Sequence, residues 1–236
     1  MTAAQPVRLF LSPEHPCGYL PFRTARSAFV DPEFTLAPPR YQRLLELGFR
    51  RSGEHAYRPH CRGCERCLPV RVPTARFQPD RSQRRCIRDN ADLELRLETQ
   101  IRDEHYALYR RYLAARHAGG GMDPDDRTAF HNFLECGWNE VRYWSFREQG
   151  RLLAVAVVDH LPRALSAVYT FFDPAESRRG LGTLAVLRQI EEARRQGLPH
   201  VYLGYWVEGS AKMDYKRRFQ PLEILEGTDW VEIGPG

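Results

Sequence analysis

The chain has 236 residues, 42% of them hydrophobic, enough for one large domain or two small ones with a buried core. No run reaches the roughly 18 apolar residues of a membrane span. Residues 1–8 hold no apolar core of signal-peptide length, so a soluble, cytoplasmic protein is expected. The net charge of +5 rests on arginine, since Lys212 and Lys216 are the two lysines; GC-rich coding or phosphate binding accounts for that bias.

Residues 1–35 are rich in proline and aromatics with little periodicity, and residues 12–21 read as an ordered loop. Residues 38–49 read as a short helix with Tyr41, Leu44, Leu45 and Leu47 on its apolar face, prolines at its start and Gly48 near its end. Residues 49–59 read as a strand or hairpin turning at Ser52 and Gly53, and residues 70–72 as a short strand. Residues 80–90 form an arginine-rich helix, N-capped by Asp80, whose basic side is a solvated face. Residues 92–98 alternate strictly, as a half-buried strand does, and the junction between two lobes is placed near residue 90.

Residues 103–117 are helical, with Tyr106, Leu108, Tyr109, Tyr112 and Leu113 in a broad apolar stripe. Gly119, Gly120 and Gly121 end that helix and are free to move. Asp123 and Pro124 open a second helix through Phe130, Phe133 and Leu134. Residues 141–149, 152–161 and 165–172 read as three antiparallel strands, the last ended by Asp173 and Pro174. A glycine turn follows, then a helix carrying Leu184, Leu187 and Ile190 that stops at Gly197 and Pro199. Residues 200–206 are a buried strand, residues 212–219 a basic amphipathic helix and residues 222–225 a final strand.

Two motifs carry chemistry. Cys61, Cys64 and Cys67 recur at spacings of three, which lets a tight loop aim thiolates at one centre, as in iron–sulfur and zinc sites. Cys17, His60 or Cys86 would supply a fourth ligand; the alternative is a set of reduced thiols packed as small apolar groups. Absence of a signal segment argues against a disulfide framework for the six cysteines. The turn from Ser177 to Thr183, with Gly180 and Gly182, joins strand to helix. A helix N-terminus offers unpaired N–H groups and the positive end of the dipole, so the turn either holds a phosphate or is a plain tight turn.

The element order resembles the GCN5-related N-acetyltransferase (GNAT) fold, which is α+β: a mixed, mostly antiparallel sheet with flanking helices. In that fold a Gln/Arg-x-x-Gly-x-Gly/Ala turn binds the pyrophosphate of acetyl-CoA; here Ser177 replaces the leading Gln or Arg, which weakens an acetyl-CoA reading. Across its length the chain more closely resembles the aminoacyl-tRNA–protein transferases of the N-degron pathway. Four stretches carry this resemblance: residues 15–20 (HPCGYL), the cysteine segment 57–72, residues 198–208 (LPHVYLGYWVE) and residues 212–223 (KMDYKRRFQPLE). The compact length and the Cys-x-x-Cys-x-x-Cys form are similar to the bacterial aspartate/glutamate leucyltransferases. The related eukaryotic arginyltransferases are larger, and Leu20 stands where their Cys-Gly-Tyr-Cys motif has its second cysteine.

The resemblance implies a smaller, cysteine-containing N-terminal lobe over residues 1–90 and a GNAT-like aminoacyl-transfer domain over residues 91–236. It implies transfer of leucine from Leu-tRNA to the α-amine of proteins beginning with Asp or Glu, marking them for degradation. Arginyl transfer from Arg-tRNA, and acetyl transfer from coenzyme A, are the alternatives. Its partners would be aminoacyl-tRNA and acidic protein N-termini, with no membrane. No cofactor is required, because the ester is already activated; an iron–sulfur cluster or zinc at Cys17, Cys61, Cys64 and Cys67 is an addition the motif allows. Gly180, Leu181, Gly182 and Thr183 would face the tRNA 3′ end, and Lys212, Lys216, Arg217 and Arg218 would extend a basic surface towards the acceptor stem. Tyr205 and Glu208 would be the catalytic groups that steer the amine. Arg58 and Arg71, flanking the cysteine loop, would grip the acidic side chain of the acceptor.

Overall fold

The structure is a computed structural model and describes residues 7–116 and 123–234. The aperiodic first stretch yields four short strands, β1 (Leu9–Leu11), β2 (His15–Pro16), β3 (Thr24–Ala25) and β4 (Ser27–Val30). Helix α1 (Pro38–Glu46) has proline at its opening positions and buries Tyr41, Leu44 and Leu45. The expected hairpin is β5 (Arg50–Ser52) and β6 (His55–Pro59), which with β4 and β1 makes a four-stranded sheet in the order β1-β4-β6-β5.

Gly53, in that hairpin turn, has φ +56, and its N–H donates to Phe133 O at 2.9 Å. A Cβ there would lie 1.9 Å from Asn132 O. Gly53→Ala is therefore expected to cost about 1–3 kcal/mol through overpacking against a backbone that cannot yield, measurable as a lower urea midpoint.

The rest of the chain gives β7 (Cys67–Pro73), α2 (Arg81–Arg88), β8 (Glu94–Glu98), α3 (Asp103–Arg116) and α4 (Arg127–Leu134). Next come β9 (Glu140–Glu148), β10 (Arg151–Leu161), β11 (Ala164–Phe172), α5 (Leu181–Arg195) and β12 (His200–Val207). β13 (Leu222–Glu226) and β14 (Asp229–Ile233) close the chain. The fold is α+β, with one eight-stranded sheet in the order β14-β13-β7-β12-β11-β10-β9-β8 and helices flanking it. Every pairing in it is antiparallel except β11 with β12.

β10 is buried along nearly its whole length because both faces of the sheet are covered, which is why its sequence is continuously apolar rather than alternating. On one face Leu181, Leu184, Leu187 and Ile190 of α5 meet Trp144, Phe146, Ala154 and Ala156. On the other, Leu108, Tyr109 and Leu113 of α3 and Phe130 and Leu134 of α4 meet Tyr143, Val155, Val157 and Phe171.

Three expectations change. The boundary at residue 90 is not a break between sheets: β7, from the first ninety residues, lies between β12 and β13, and α2 packs on α5. Residues 212–219 form no α-helix but a short 3₁₀ helix, Asp214–Arg218, because Lys216 turns inward instead of joining a solvated basic face. The N-terminal loop is partly laddered, since Cys17 N donates to Arg23 O at 2.8 Å and β2 pairs with β3. The triple glycine at 119–121 lies outside the described residues.

Burial holds three histidines below their ordinary titration range. His105 is fully buried in α3, with Nε2 2.8 Å from Glu98 Oε2 and 3.1 Å from Ser145 Oγ, while Nδ1 accepts from Arg102 N at 3.2 Å. Burial outweighs the pull of Glu98 and moves its pKa down. Burial also lowers His160, and burial together with the Arg71 cation brings His200 down to about 4. Below pH 6.5 the unfolded chain takes up protons that the folded protein refuses, so stability falls with falling pH. Each histidine contributes a slope of about 1.4 kcal/mol per pH unit down to its folded value. Urea midpoints measured from pH 7.5 to 5 are expected to drop, and His200→Asn to flatten the drop.

Candidate active cleft

β11 and β12 pair only at their starts, Ala164–Ser166 against His200–Tyr202. Beyond them β11 and β12 separate, while on its other edge β12 stays paired with β7 from His200 to Val207, with a register shift between Tyr202 and Gly204. The sheet therefore parts beyond Ser166 and Tyr202, with the chain from β11 to α5 on one side and the end of β12 on the other.

At the start of α5, Gly180 is the N-cap and α2 lies across the turn. Cys86 Sγ stands 3.4 Å from where a Cβ on Gly180 would be, and Asn90 Nδ2 donates to Arg179 O and Cys86 O at 2.8 Å each. Arg179 is held by Asp92 and Glu148. Gly180 is exposed, Gly182 and Thr183 half-buried and Leu181 buried in the core. The approach that a coenzyme pyrophosphate would use is thus partly filled by the arginine-rich helix.

At the end of β12, Tyr205 is buried and its hydroxyl donates to Gly48 O at 2.8 Å and, at 3.4 Å, to Tyr57 O. Burial pushes its pKa far up. It anchors β12 to the N-terminal region and has no free hydroxyl to steer an amine. Lys216, expected on the surface, is 5% exposed and donates from Nζ to Tyr205 O at 2.5 Å. Burial, then the nearby Arg50 cation, lowers its pKa to about 7.

Arg50 is the residue that sequence reasoning missed here. It is buried over the rings of Tyr202 and Tyr205 at 5.4 and 5.5 Å and donates to Gly204 O at 3.0 Å. Its neighbours in sequence give no motif; only the adjacency of Arg50 and Arg51 inside a short strand hints that both turn inward.

Past this anchor opens a cleft of about 740 Å³, lined by Gln78, Asp80, Gln83, Trp206, Glu208 and Arg218 among others. Glu208 is exposed on its wall. Trp206 Nε1 donates to Asp214 Oδ1 at 3.1 Å, and the Arg217 guanidinium stacks 5.1 Å from the Trp206 ring. Arg218 donates to Ser82 Oγ at 2.7 Å, and Gln83 Nε2 to Arg218 O at 2.8 Å, bolting α2 to residues 214–218. Lys212 is exposed nearby in sequence. The N-cap of α2 is the expected Asp80, in a capping box with Gln83.

The two acceptor-gripping arginines are not brought together. Arg58 lies on β6 of the small sheet, over the Phe49 ring at 5.1 Å. Arg71, on β7, donates to Glu223 Oε2 at 2.7 Å and stacks 4.2 Å from the Trp230 ring, so its fork is already occupied.

The cysteine loop packs beneath the same end of β12. Cys17, Cys64 and Cys67 sit against Leu20, Tyr205 and Val207, and Arg66 O accepts from Glu208 N at 3.2 Å. Burial, then the neighbouring thiols of Cys61, Cys17 and Cys64, pushes the Cys67 thiol up to about 12. Cys61 Sγ is engaged with the backbone of Arg26. Among the described residues the one set of three ligand atoms within 4.8 Å is Glu98, Glu104 and His105, with Arg147 bonded to Glu104. Cys17, Cys61, Cys64 and Cys67 are all half-buried and free of disulfides.

Comparison with known proteins shows this chain to be an aminoacyltransferase. The model of the arginine-tRNA-protein transferase N terminus matches residues 15–85, and that of the C terminus residues 104–226. An aspartate/glutamate leucyltransferase of Stenotrophomonas maltophilia (strain K279a) is 54% identical over 234 residues, 96% of this chain and 93% of that one. One of Alcanivorax borkumensis is 48% identical, covering 98% of this chain and 96% of that one. The chain belongs to the arginine-tRNA-protein transferase family. Among solved structures, a C-terminal domain described as that of a lysylphosphatidylglycerol synthetase from Agrobacterium fabrum matches at TM-score 0.50 and 15% identity, over 83% of this chain and 67% of that one; this likeness concerns the fold alone. No helix among the described residues is long and apolar enough to cross a membrane.

Proposed function

We propose that this chain transfers leucine from Leu-tRNA to the α-amine of proteins that begin with Asp or Glu, in the cytoplasm, where such a residue marks them for degradation. The observation that carries this reading is the 54% identity to an aspartate/glutamate leucyltransferase over 96% of the chain. The amine attacks the ester carbonyl, a C–N bond forms, the bond to the tRNA 3′ oxygen breaks, and that oxygen leaves with the proton. An α-amine titrates near pH 8, so a neutral fraction is present at pH 7 and the protein's task is alignment.

The cleft suits that task. The Trp206 ring, stiffened by Arg217, offers a stacking face for an unpaired base. Arg217, Arg218 and Lys212 offer cations to the phosphates of the 3′ end, and Glu208 offers a carboxylate to the incoming ammonium. Coenzyme A is disfavoured because Cys86 and Asn90 lie against the glycine turn.

Mixing the protein with labelled Leu-tRNA or Arg-tRNA and peptides beginning with Asp, Glu, Lys or Ala tests the reading. Label is expected to pass from Leu-tRNA to the acidic peptides alone. Passage from Arg-tRNA would change the donor, and passage from neither would overturn the proposal. The chemistry asks for no metal, since the ester is activated before it arrives, and any zinc or cluster at Cys17, Cys61, Cys64 and Cys67 would be a structural addition. A transfer rate unchanged by a chelator is the expected result; a loss restored by added metal would refute it.

A further inference from the structure

Arg81, Arg84, Arg85 and Arg88 stand at i, i+3, i+4 and i+7 of α2, so they share one side of the helix. All four are exposed, while Gln83 is buried and Cys86 and Ile87 pack towards the core. The side chains of Arg81 and Arg85 make no hydrogen bond or ion pair among the described residues; Arg84 reaches only Pro79 O, and Arg88 only Asp89, at 3.6 Å. Arginines three and four apart on a helix repel one another. The protein keeps four of them in a stripe without a carboxylate from another element to offset the repulsion, so the stripe is charged for something outside the chain.

Its placement says what. The first turn of α2 contributes Asp80 and Gln83 to the cleft, and Ser82 and Gln83 bond residue 218. Its far end touches the glycine turn through Cys86 and Asn90. Stripe and cleft are therefore parts of one rigid unit. The stripe is about 10 Å long, more than the spacing of neighbouring phosphates along one strand. Guanidinium groups set at helical intervals match a regular backbone of phosphates, and offer nothing to an apolar or cationic partner.

Resting on the proposed use of aminoacyl-tRNA, we infer that α2 is the duplex-RNA contact of this enzyme: Arg81, Arg84, Arg85 and Arg88 lie along the phosphates of the acceptor stem while the unpaired 3′ end enters the cleft. The contact is to backbone and carries no base preference.

The test compares wild type with the triple variant Arg81→Gln, Arg85→Gln, Arg88→Gln. Three probes are titrated at several salt concentrations: Leu-tRNA, an acceptor-stem minihelix, and a short single-stranded oligonucleotide with the same 3′ end. The variant is expected to bind tRNA and minihelix at least tenfold more weakly. Its log–log salt slope should be shallower by about 2–3, one contact being worth about 0.9. The oligonucleotide should bind both proteins equally, kcat at saturating Leu-tRNA should be retained, and the urea midpoint should hold or rise as repulsion is relieved. Lysine at the same three positions should retain most of the slope. Unchanged minihelix affinity would overturn the proposal and leave the stripe to an acidic protein, and equal weakening on the oligonucleotide would overturn it too. A wild type that transfers no amino acid but binds the minihelix through these arginines would refute the proposed reaction while sustaining the RNA contact.

Discussion

Asp159→Ala is expected to remove about 3–5 kcal/mol of stability, the cost of stranding a buried charge. That is a large part of the 5–15 kcal/mol a typical domain has. Asp159 on β10 and Arg51 on β5 are both fully buried, and the carboxylate is held at 2.7 Å by Nη2 and at 2.9 Å by Nε. The remaining guanidinium nitrogen reaches Leu134 O at 3.3 Å. Burial acts to lower the Arg51 pKa, but the carboxylate beside it acts more strongly in the other direction, so the guanidinium stays charged. Removing Asp159 leaves that charge with carbonyls alone. The pair is also a fully buried polar link between the small sheet and the large one, so the transition should lose cooperativity as well as shift. Urea denaturation reads both, the shift as a lower midpoint and the lost cooperativity as a lower m-value. The double variant Arg51→Met, Asp159→Leu should recover most of the midpoint, because two apolar side chains of similar volume do not need each other. A single variant as stable as wild type would mean that water reaches Arg51.

The elements that the sequence states plainly are those whose burial follows a period or a stop. The run at 152–161 is apolar on both faces because helices cover both faces of the sheet, and α5 ends near Gly197 as its sequence says. Asp80 caps α2 because its side chain accepts from Gln83 N, a local event that local sequence encodes. What was not legible depends on partners far along the chain. β7 carries only a short apolar stretch, and nothing near it announces that it inserts between β12 and β13. Tyr205 and Lys216 look like exposed tools beside a basic run, yet Gly48 O and Tyr205 O draw them inside. Arg71 reads as an available fork until Glu223, 152 residues later, takes it. The exposure of Glu208 was legible because it follows a buried strand that ends in the open.

Lys216→Met is expected to stabilise the protein by about 2 kcal/mol at neutral pH, a gain that fades as the solution becomes alkaline. The ammonium is nearly buried beside the Arg50 cation and has one bond, to Tyr205 O. Its pKa falls from the ordinary 10.5 to about 7, burial being the larger cause and Arg50 the next. Between those two values the unfolded chain holds a proton that the folded chain has released. Stability therefore rises with pH across the window 7 to 10.5, by up to about 1.4 kcal/mol per unit. Below pH 7 the full penalty, about 4–5 kcal/mol by the same relation, is present. Methionine fills the same volume without the charge but leaves Tyr205 O unpaired, which costs about 1–3 kcal/mol; the difference is the expected net gain. Urea midpoints of wild type and variant from pH 6 to 10 should draw together and then cross as pH rises, because the penalty that methionine removes disappears while the unpaired Tyr205 O of the variant remains. A variant less stable than wild type by the same amount at every pH would show that the ammonium is well paired and that its burial is not costly. Transfer activity is expected to fall in the variant even as stability rises, since a buried cation maintained at such cost beside the cleft is where stability is given up for function.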